Sequence, residues 1–179
     1  VSVLEERVAA LEGGTAACAA ASGHGAQLLA FHTLMQPGDE LVASKKLYGG
    51  SITQLGYSFQ RFGWKTHFVD ADEPENIRTA ITPKTKAVFI ESLANPGGVV
   101  HDIEAIAKVA HAAGIPLIVD NTLASAAKAR TLGTTIPLAA MVSFSIIFKR
   151  GTAEFAKACA DHGLDGLILP DVPLEEAPA

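Results

Sequence analysis

The apolar residues fall into two periods, and the period switches repeatedly along the chain. Residues 3–12 place Leu4, Val8 and Leu11 on one helical face with charges mostly off it, and Gly13-Gly14 ends the pattern. A small-residue turn, Ala21-Ser22-Gly23-His24-Gly25, opens a second helix reaching Met35, and Pro37-Gly38-Asp39 turns the chain. Short apolar runs at 40–43, 66–69, 87–90 and 115–119 read as strands. Between them lie a helix from Gly50 to about Phe62, a short helix ending near Ile81 before Pro83, and a helix whose stripe is Ile103, Ile106, Ala107 and Ala110. Asp102 is placed to cap that last helix, and Gly114 to end it. Strand, helix, strand in this succession requires parallel pairing through right-handed crossovers, so the fold class is α/β, a mostly parallel sheet with helices on both faces.

Past Leu123 the character shifts. Residues 124–130 are Ala-rich, 133–137 break the helix, and 141–148 alternate apolar residues with serine as a strand does. A helix over 152–161 and a strand over 164–169 follow, and Pro170-Asp171-Val172-Pro173 forms a loop. The expectation is a further β-α-β unit that joins the same domain.

Composition narrows the function. With 179 residues the chain has room for one ordinary core. A net charge of −5 argues against a nucleic-acid partner. No apolar run is long enough for a membrane span, and no secretory signal opens the chain, so a cytoplasmic protein is expected. Cys18 and Cys159 read as buried or half-buried free thiols. The six histidines show no ligand spacing, and His101 and His111 read as surface residues. The acidic run from Asp70 to Glu75 reads as a solvated face.

The candidate chemistry lies where strands end. The run Glu91-Ser92-Leu93-Ala94-Asn95-Pro96-Gly97-Gly98 and the run Val119-Asp120-Asn121-Thr122 each follow an apolar strand. In an open parallel sheet both fall on the carboxyl edge, where α/β folds hold ligands. The turn at Ser22-Gly23-His24 can hold a phosphate on its N–H groups or serve as plain helix entry. Tyr48, beside Gly49-Gly50, can stack on a flat ring or cap the core with a wet hydroxyl. Asp120 can pair with a cofactor or cap the next helix.

Residues from about Leu4 to Leu123 resemble the Cys/Met-metabolism family of pyridoxal-phosphate enzymes, nearest its O-acetylhomoserine sulfhydrylase branch. The resemblance is carried, in order, by Leu11-Glu12-Gly13-Gly14, Ser22-Gly23, Leu47-Tyr48-Gly49-Gly50, Phe62-Gly63-Trp64, the 91–98 run and Val119-Asp120-Asn121-Thr122. It implies a partial large domain of that fold over 1–123. It assigns cofactor binding to Gly23, His24, Tyr48, Asn95, Asp120 and Thr122. Asp120 would face the pyridinium nitrogen, Tyr48 stack on the ring, Gly23 and His24 hold the phosphate through their backbone, and Asn95 lie near the phenolic oxygen. Relatives often carry methionine at the His24 position.

The resemblance further implies an amino-acid substrate, a role in sulfur amino-acid biosynthesis and a homo-oligomer. The family's Ser-x-Thr-Lys-type segment, which supplies the lysine that anchors the cofactor, has no match. Lys128 and Lys149 stand in different surroundings. Weak or absent catalysis is therefore expected, with covalent attachment in doubt and no residue assigned to catalysis. Residues from about Ala124 resemble a strand–helix–strand piece of the tryptophan synthase α subunit, through 141–151 and 165–178. Two further readings stand beside the first: a non-catalytic chimeric fold that binds a phosphorylated small molecule, and a tryptophan synthase α-like lyase fragment.

Overall fold

The structure is a computed structural model that describes residues 1–94, 98–122, 139–141, 157 and 166–168. Two compact units divide it, Val1–Asp120 and Asn121–Ala179. In the first, four strands, β1 (Glu40–Ser44), β2 (Lys65–Val69), β3 (Thr85–Glu91) and β6 (Leu117–Asp120), form a sheet in the order β2-β1-β3-β6. All three pairings are parallel. A two-stranded antiparallel flap, β4 (Leu93–Ala94) with β5 (Val99–Val100), follows β3. In the second unit β7 (Ala139–Met141) pairs in parallel with β8 (Gly166–Ile168). The strand expected over 141–148 and the helices expected over 124–130 and 152–161 fall almost wholly outside the described residues.

Helices α1 (Ser2–Glu12), α2 (Gly23–Leu34), α3 (Gly49–Gly56), α4 (Pro74–Ala80) and α5 (Ile103–Ala112) complete the first unit, with a 3-10 turn at Ser58–Phe62. The helix expected to run on to Phe62 therefore stops at Gly56 and tightens. Side chains alternate along β1 and β3, as a two-sided sheet requires. Leu41, Ala43, Ala87 and Phe89 face one layer, with Phe31 of α2, Met35 just past its end, Leu55 of α3, Leu47, Phe59 and Trp64. Val42, Val88 and Ile90 face the other, with Ile77 of α4 and Ile106, Val109 and Ala110 of α5. Each fully buried side chain of this size contributes about 1.5–3 kcal/mol.

The strand order sets the layers. The step from β1 to β2 runs one way across the sheet, whereas β2 to β3 and β3 to β6 run the other. A single crossover handedness then puts α3 on the opposite face from α4 and α5, as observed. The direction reverses between β1 and β3, so the crevice outside their carboxyl ends is the topological switch point, where such sheets bind ligands.

Several expectations need correction. The α1 stripe is not buried: Leu4, Val8 and Leu11 are exposed, and Ala9 is the buried residue of that helix. On α5, Ile103 is exposed and Val109 takes its place in the core, because the helix rotates that edge toward solvent. Cys18 is an exposed thiol in the irregular segment after α1. His101 is buried at 3% exposure, drawn in by Ser44 at the end of β1.

Candidate functional site at the carboxyl edge

Three strands end on polar residues at one edge: Ser44 on β1, Glu91 on β3 and Asp120 on β6. Glu91 and Asp120 are register partners, so they lie side by side. The Asp120 backbone is fixed from outside its strand, since its carbonyl accepts the Ser92 N–H at 3.0 Å and the Ser92 hydroxyl at 3.4 Å.

Tyr48 ends the loop after β1 and caps the N-terminus of α3. Its N–H donates to Glu91 Oε1 at 2.7 Å, and Glu91 is itself buried. That bond ties the β1 loop to the end of β3 across the switch point. With its backbone held, the Tyr48 ring stands 46% exposed and stacks on His24, centroids 5.9 Å apart and planes 22° from parallel. Gly50 underlies the pair: a Cβ there would lie 2.5 Å from Tyr48 Cε1 and 2.6 Å from His24 Cε1. Of the two glycines read at this loop, closeness requires Gly50, whereas a Cβ at Gly49 would meet nothing within 4 Å.

His24 sits in the first turn of α2. Ser22 caps that helix, its hydroxyl accepting the Gly25 N–H at 3.0 Å, and Gln54 Nε2 donates to the His24 carbonyl at 2.9 Å. The N–H groups of Gly23 and His24 have no partner inside the helix by virtue of their position, and the helix dipole is positive there. One turn on, Gln27 is buried, and its Nε2 donates to Ser51 Oγ at 3.0 Å and to Asp120 Oδ2 at 3.5 Å. The N-terminal half of α2 therefore meets Tyr48 through His24 and Asp120 through Gln27. It links Gly23, His24 and Tyr48 to Asp120 along one helix. Asn95 lies outside the described residues, and Thr122 is exposed in the second unit.

Two groups escaped the sequence reading. Gln27 was legible in principle, as the first member of an i, i+4, i+8 stripe with Phe31 and Met35, where a buried amide is out of place. His101 carries the other half of the edge. Its Nε2 lies 3.2 Å from Ser44 Oγ, and its Nδ1 lies 3.3 Å from Asp72 Oδ1, close enough for charge attraction but misaligned for a hydrogen bond. Burial pushes the His101 imidazole below its ordinary value, against a weaker upward pull from Asp72. Lys46 in turn binds Asp72, which raises the Lys46 ammonium, and Lys45 binds Asp70 at 2.7 Å and lowers that carboxyl. The acidic run is thus exposed as read at Asp72, Glu73 and Glu75, and its Asp70, Asp72 and Glu75 are also ion-paired, with Lys45, Lys46 and Arg78.

Comparison with known proteins agrees with the architecture. Residues 1–143 match the Cys/Met metabolism PLP-dependent enzyme family. A sulfhydrylase of Gibberella moniliformis is 54% identical over 123 residues, 69% of this chain and 28% of that protein. The O-acetyl-L-homoserine sulfhydrylase of Corynebacterium glutamicum is 44% identical over 147 residues, 80% of this chain and 34% of that protein. Among solved structures, the O-acetylhomoserine sulfhydrylase of Wolinella succinogenes superposes with a TM-score of 0.65 at 37% identity, covering 67% of this chain and 34% of that one. The chain thus spans about a third or less of these relatives, and both the family match and the Corynebacterium alignment run past Leu123.

Proposed function

Because the chain belongs to the Cys/Met-metabolism family of PLP-dependent enzymes, we propose that its first unit is the cofactor-holding part of a cytoplasmic, sulfhydrylase-type enzyme. Its substrate would be an O-acylated amino acid of the O-acetylhomoserine kind. Pyridoxal phosphate is the cofactor of this family. When bound, it serves as the electron sink for carbanion chemistry at the substrate α-carbon.

The residues fit such a group. Asp120 offers a carboxylate to a protonated ring nitrogen, a charge-assisted contact that keeps the proton in place. The half-exposed Tyr48 ring offers a flat face. The first N–H groups of α2 suit a phosphate. The observation that supports the reading best is that one helix touches both ends of this arrangement, Tyr48 through His24 and Asp120 through Gln27. Asn95 and Thr122 are proposed as further contacts on the sequence resemblance alone.

No segment of the sequence matches the family's lysine motif. Binding by this chain is therefore proposed to be non-covalent, and turnover weak or nil. A homo-oligomer, with no nucleic-acid partner, belongs to the same reading. That residues 124–179 form a tryptophan synthase α-like segment rests on sequence motifs alone, and indole release from indole-glycerol phosphate tests it.

The main test is a melting curve with increasing pyridoxal phosphate. A ligand specific for the native state at a hundred times its dissociation constant stabilises by about 2.7 kcal/mol. The expected result is a saturable rise in Tm that Asp120→Asn and Tyr48→Ala each diminish. No rise in the unaltered chain would refute cofactor binding. A stoichiometric borohydride-stable adduct on one lysine, with turnover of O-acetylhomoserine and sulfide, would refute the inactivity.

A further inference from the structure

On α2, Gln27 and Phe31 lie one turn apart on one face, and Phe31, with Met35 just past the helix end, is buried in the aromatic layer of the core. An apolar residue at 27 would continue that face. The glutamine is instead buried there, and its Oε1 finds no hydrogen-bond partner among the described residues. An unsatisfied buried carbonyl costs about 1–3 kcal/mol, so folding alone does not favour glutamine here.

What the glutamine holds explains its presence. Its Nε2 reaches two acceptors, Ser51 Oγ on α3 at 3.0 Å and Asp120 Oδ2 on β6 at 3.5 Å. The amide orientation follows from these neighbours. An ionised carboxylate only accepts, so the opposite orientation would set two acceptors, Oε1 and the Asp120 oxygen, against each other. A serine hydroxyl accommodates either, so Asp120 decides the orientation and Ser51 steadies it. The 3.5 Å separation is long. Contacts of this kind are commonly long before ligand binds and tighten in the complex.

We propose that Gln27 is a positioning residue for the cofactor site. Its amide, steadied by Ser51, anchors one oxygen of the Asp120 carboxylate so that the carboxylate is presented to the ring nitrogen in a single orientation. The inference rests on the reading of Asp120 as the partner of that nitrogen, and it adds a second layer behind it. Gln27 itself touches neither ring nor substrate. It acts through Asp120, as outer partners of metal ligands act through the ligands they orient.

The test uses the full chain and two readouts. The first needs no cofactor. In an 15N spectrum the Gln27 side-chain amide is identified by its loss in Gln27→Met. Its two protons are expected to exchange slowly and to move in both Asp120→Asn and Ser51→Ala. The second is titration with pyridoxal phosphate, followed by the absorbance of the bound ring. Gln27→Met keeps the length and bulk of the side chain and removes its donor. It is expected to weaken binding about tenfold, which is ~1.4 kcal/mol, and to shift the absorption band in the same sense as Asp120→Asn. A packing role alone leaves the affinity and the absorption band of the Met variant unchanged.

An amide pair indifferent to Asp120→Asn overturns the proposal. So does a Gln27→Met variant that binds like the unaltered chain while Asp120→Asn fails. Should the unaltered chain bind no pyridoxal phosphate, the proposed function falls, and the amide spectrum alone decides whether Gln27 orients Asp120.

Discussion

The two faces of the sheet solve the same problem with different materials. Above α2 and α3 the layer is aromatic: Phe31 meets Phe59 and Phe89 edge-on, and Phe59 meets Trp64 edge-on at 5.0 Å. Beneath α4 and α5 the buried layer is aliphatic and alanine, without an aromatic ring among the described residues. Each layer places a distinctive buried polar side chain at the carboxyl edge, beside Ser44, Ser51, Glu91 and Ser92, which are buried there too. On the aromatic side it is the neutral amide of Gln27, and on the aliphatic side the imidazole of His101. The amide keeps its charge state at every pH, whereas the imidazole can gain a proton. The helix α2 that presents the candidate site is therefore anchored by a group whose charge does not change with acid, and aromatic edges fix that helix.

Truncation separates the two layers most strongly. Phe31→Ala removes a ring that joins α2 to both α3's neighbourhood and β3, and is expected to cost about 3–5 kcal/mol. Ile77→Ala, the matching truncation on the aliphatic face, should cost less, toward the lower end of about 2–5 kcal/mol. Urea unfolding followed by circular dichroism measures both. Equal losses would remove the contrast between the layers.

Acid should act through the aliphatic side. The folded chain holds His101 below its ordinary value of 6.5, so folding favours the neutral ring. Its contribution is fully present above that ordinary value, and is lost as pH falls below it while the unfolded chain takes up the proton. His101→Gln should remove this part of the acid limb and cost about 1–3 kcal/mol at neutral pH, through the loss of a buried partner for Ser44. Stability measured across pH 5 to 8 tests it. An unchanged acid limb would assign the limb to other groups.

The smallest effect on stability, and the most local, is expected at Gly50. An alanine Cβ there must displace the Tyr48 and His24 rings. Both are exposed and can swing aside, so stability should move by no more than about 0.5 kcal/mol. Affinity for pyridoxal phosphate should nevertheless fall several-fold, because the stacked pair is opened. A large stability loss with unchanged affinity would make the glycine a folding requirement instead.

The sheet was legible because β1 and β3 are apolar on both faces and bounded by Gly, Pro and Asp, so length and branching alone separate them from helices. Tyr48 and Asp120 were legible because each follows such a strand, and parallel pairing sends every strand end to one edge. Gln27 was not read because its meaning depends on Asp120, 93 residues away. His101 was misread for a similar reason. Its neighbours Val100 and Asp102 are exposed, and only Ser44, 57 residues distant, draws it inside. The α1 stripe failed in the opposite sense, since helical periodicity identifies an apolar face without saying what covers it.

Trp64 is the single tryptophan of the chain, and its indole is buried against Phe59, Phe62 and His32 in the aromatic layer. Its emission therefore reports on the α2 side and is blind to the other. A fluorescence transition set beside the circular-dichroism transition would show whether the half of the molecule that holds Asp120 in place melts in step with the half that does not.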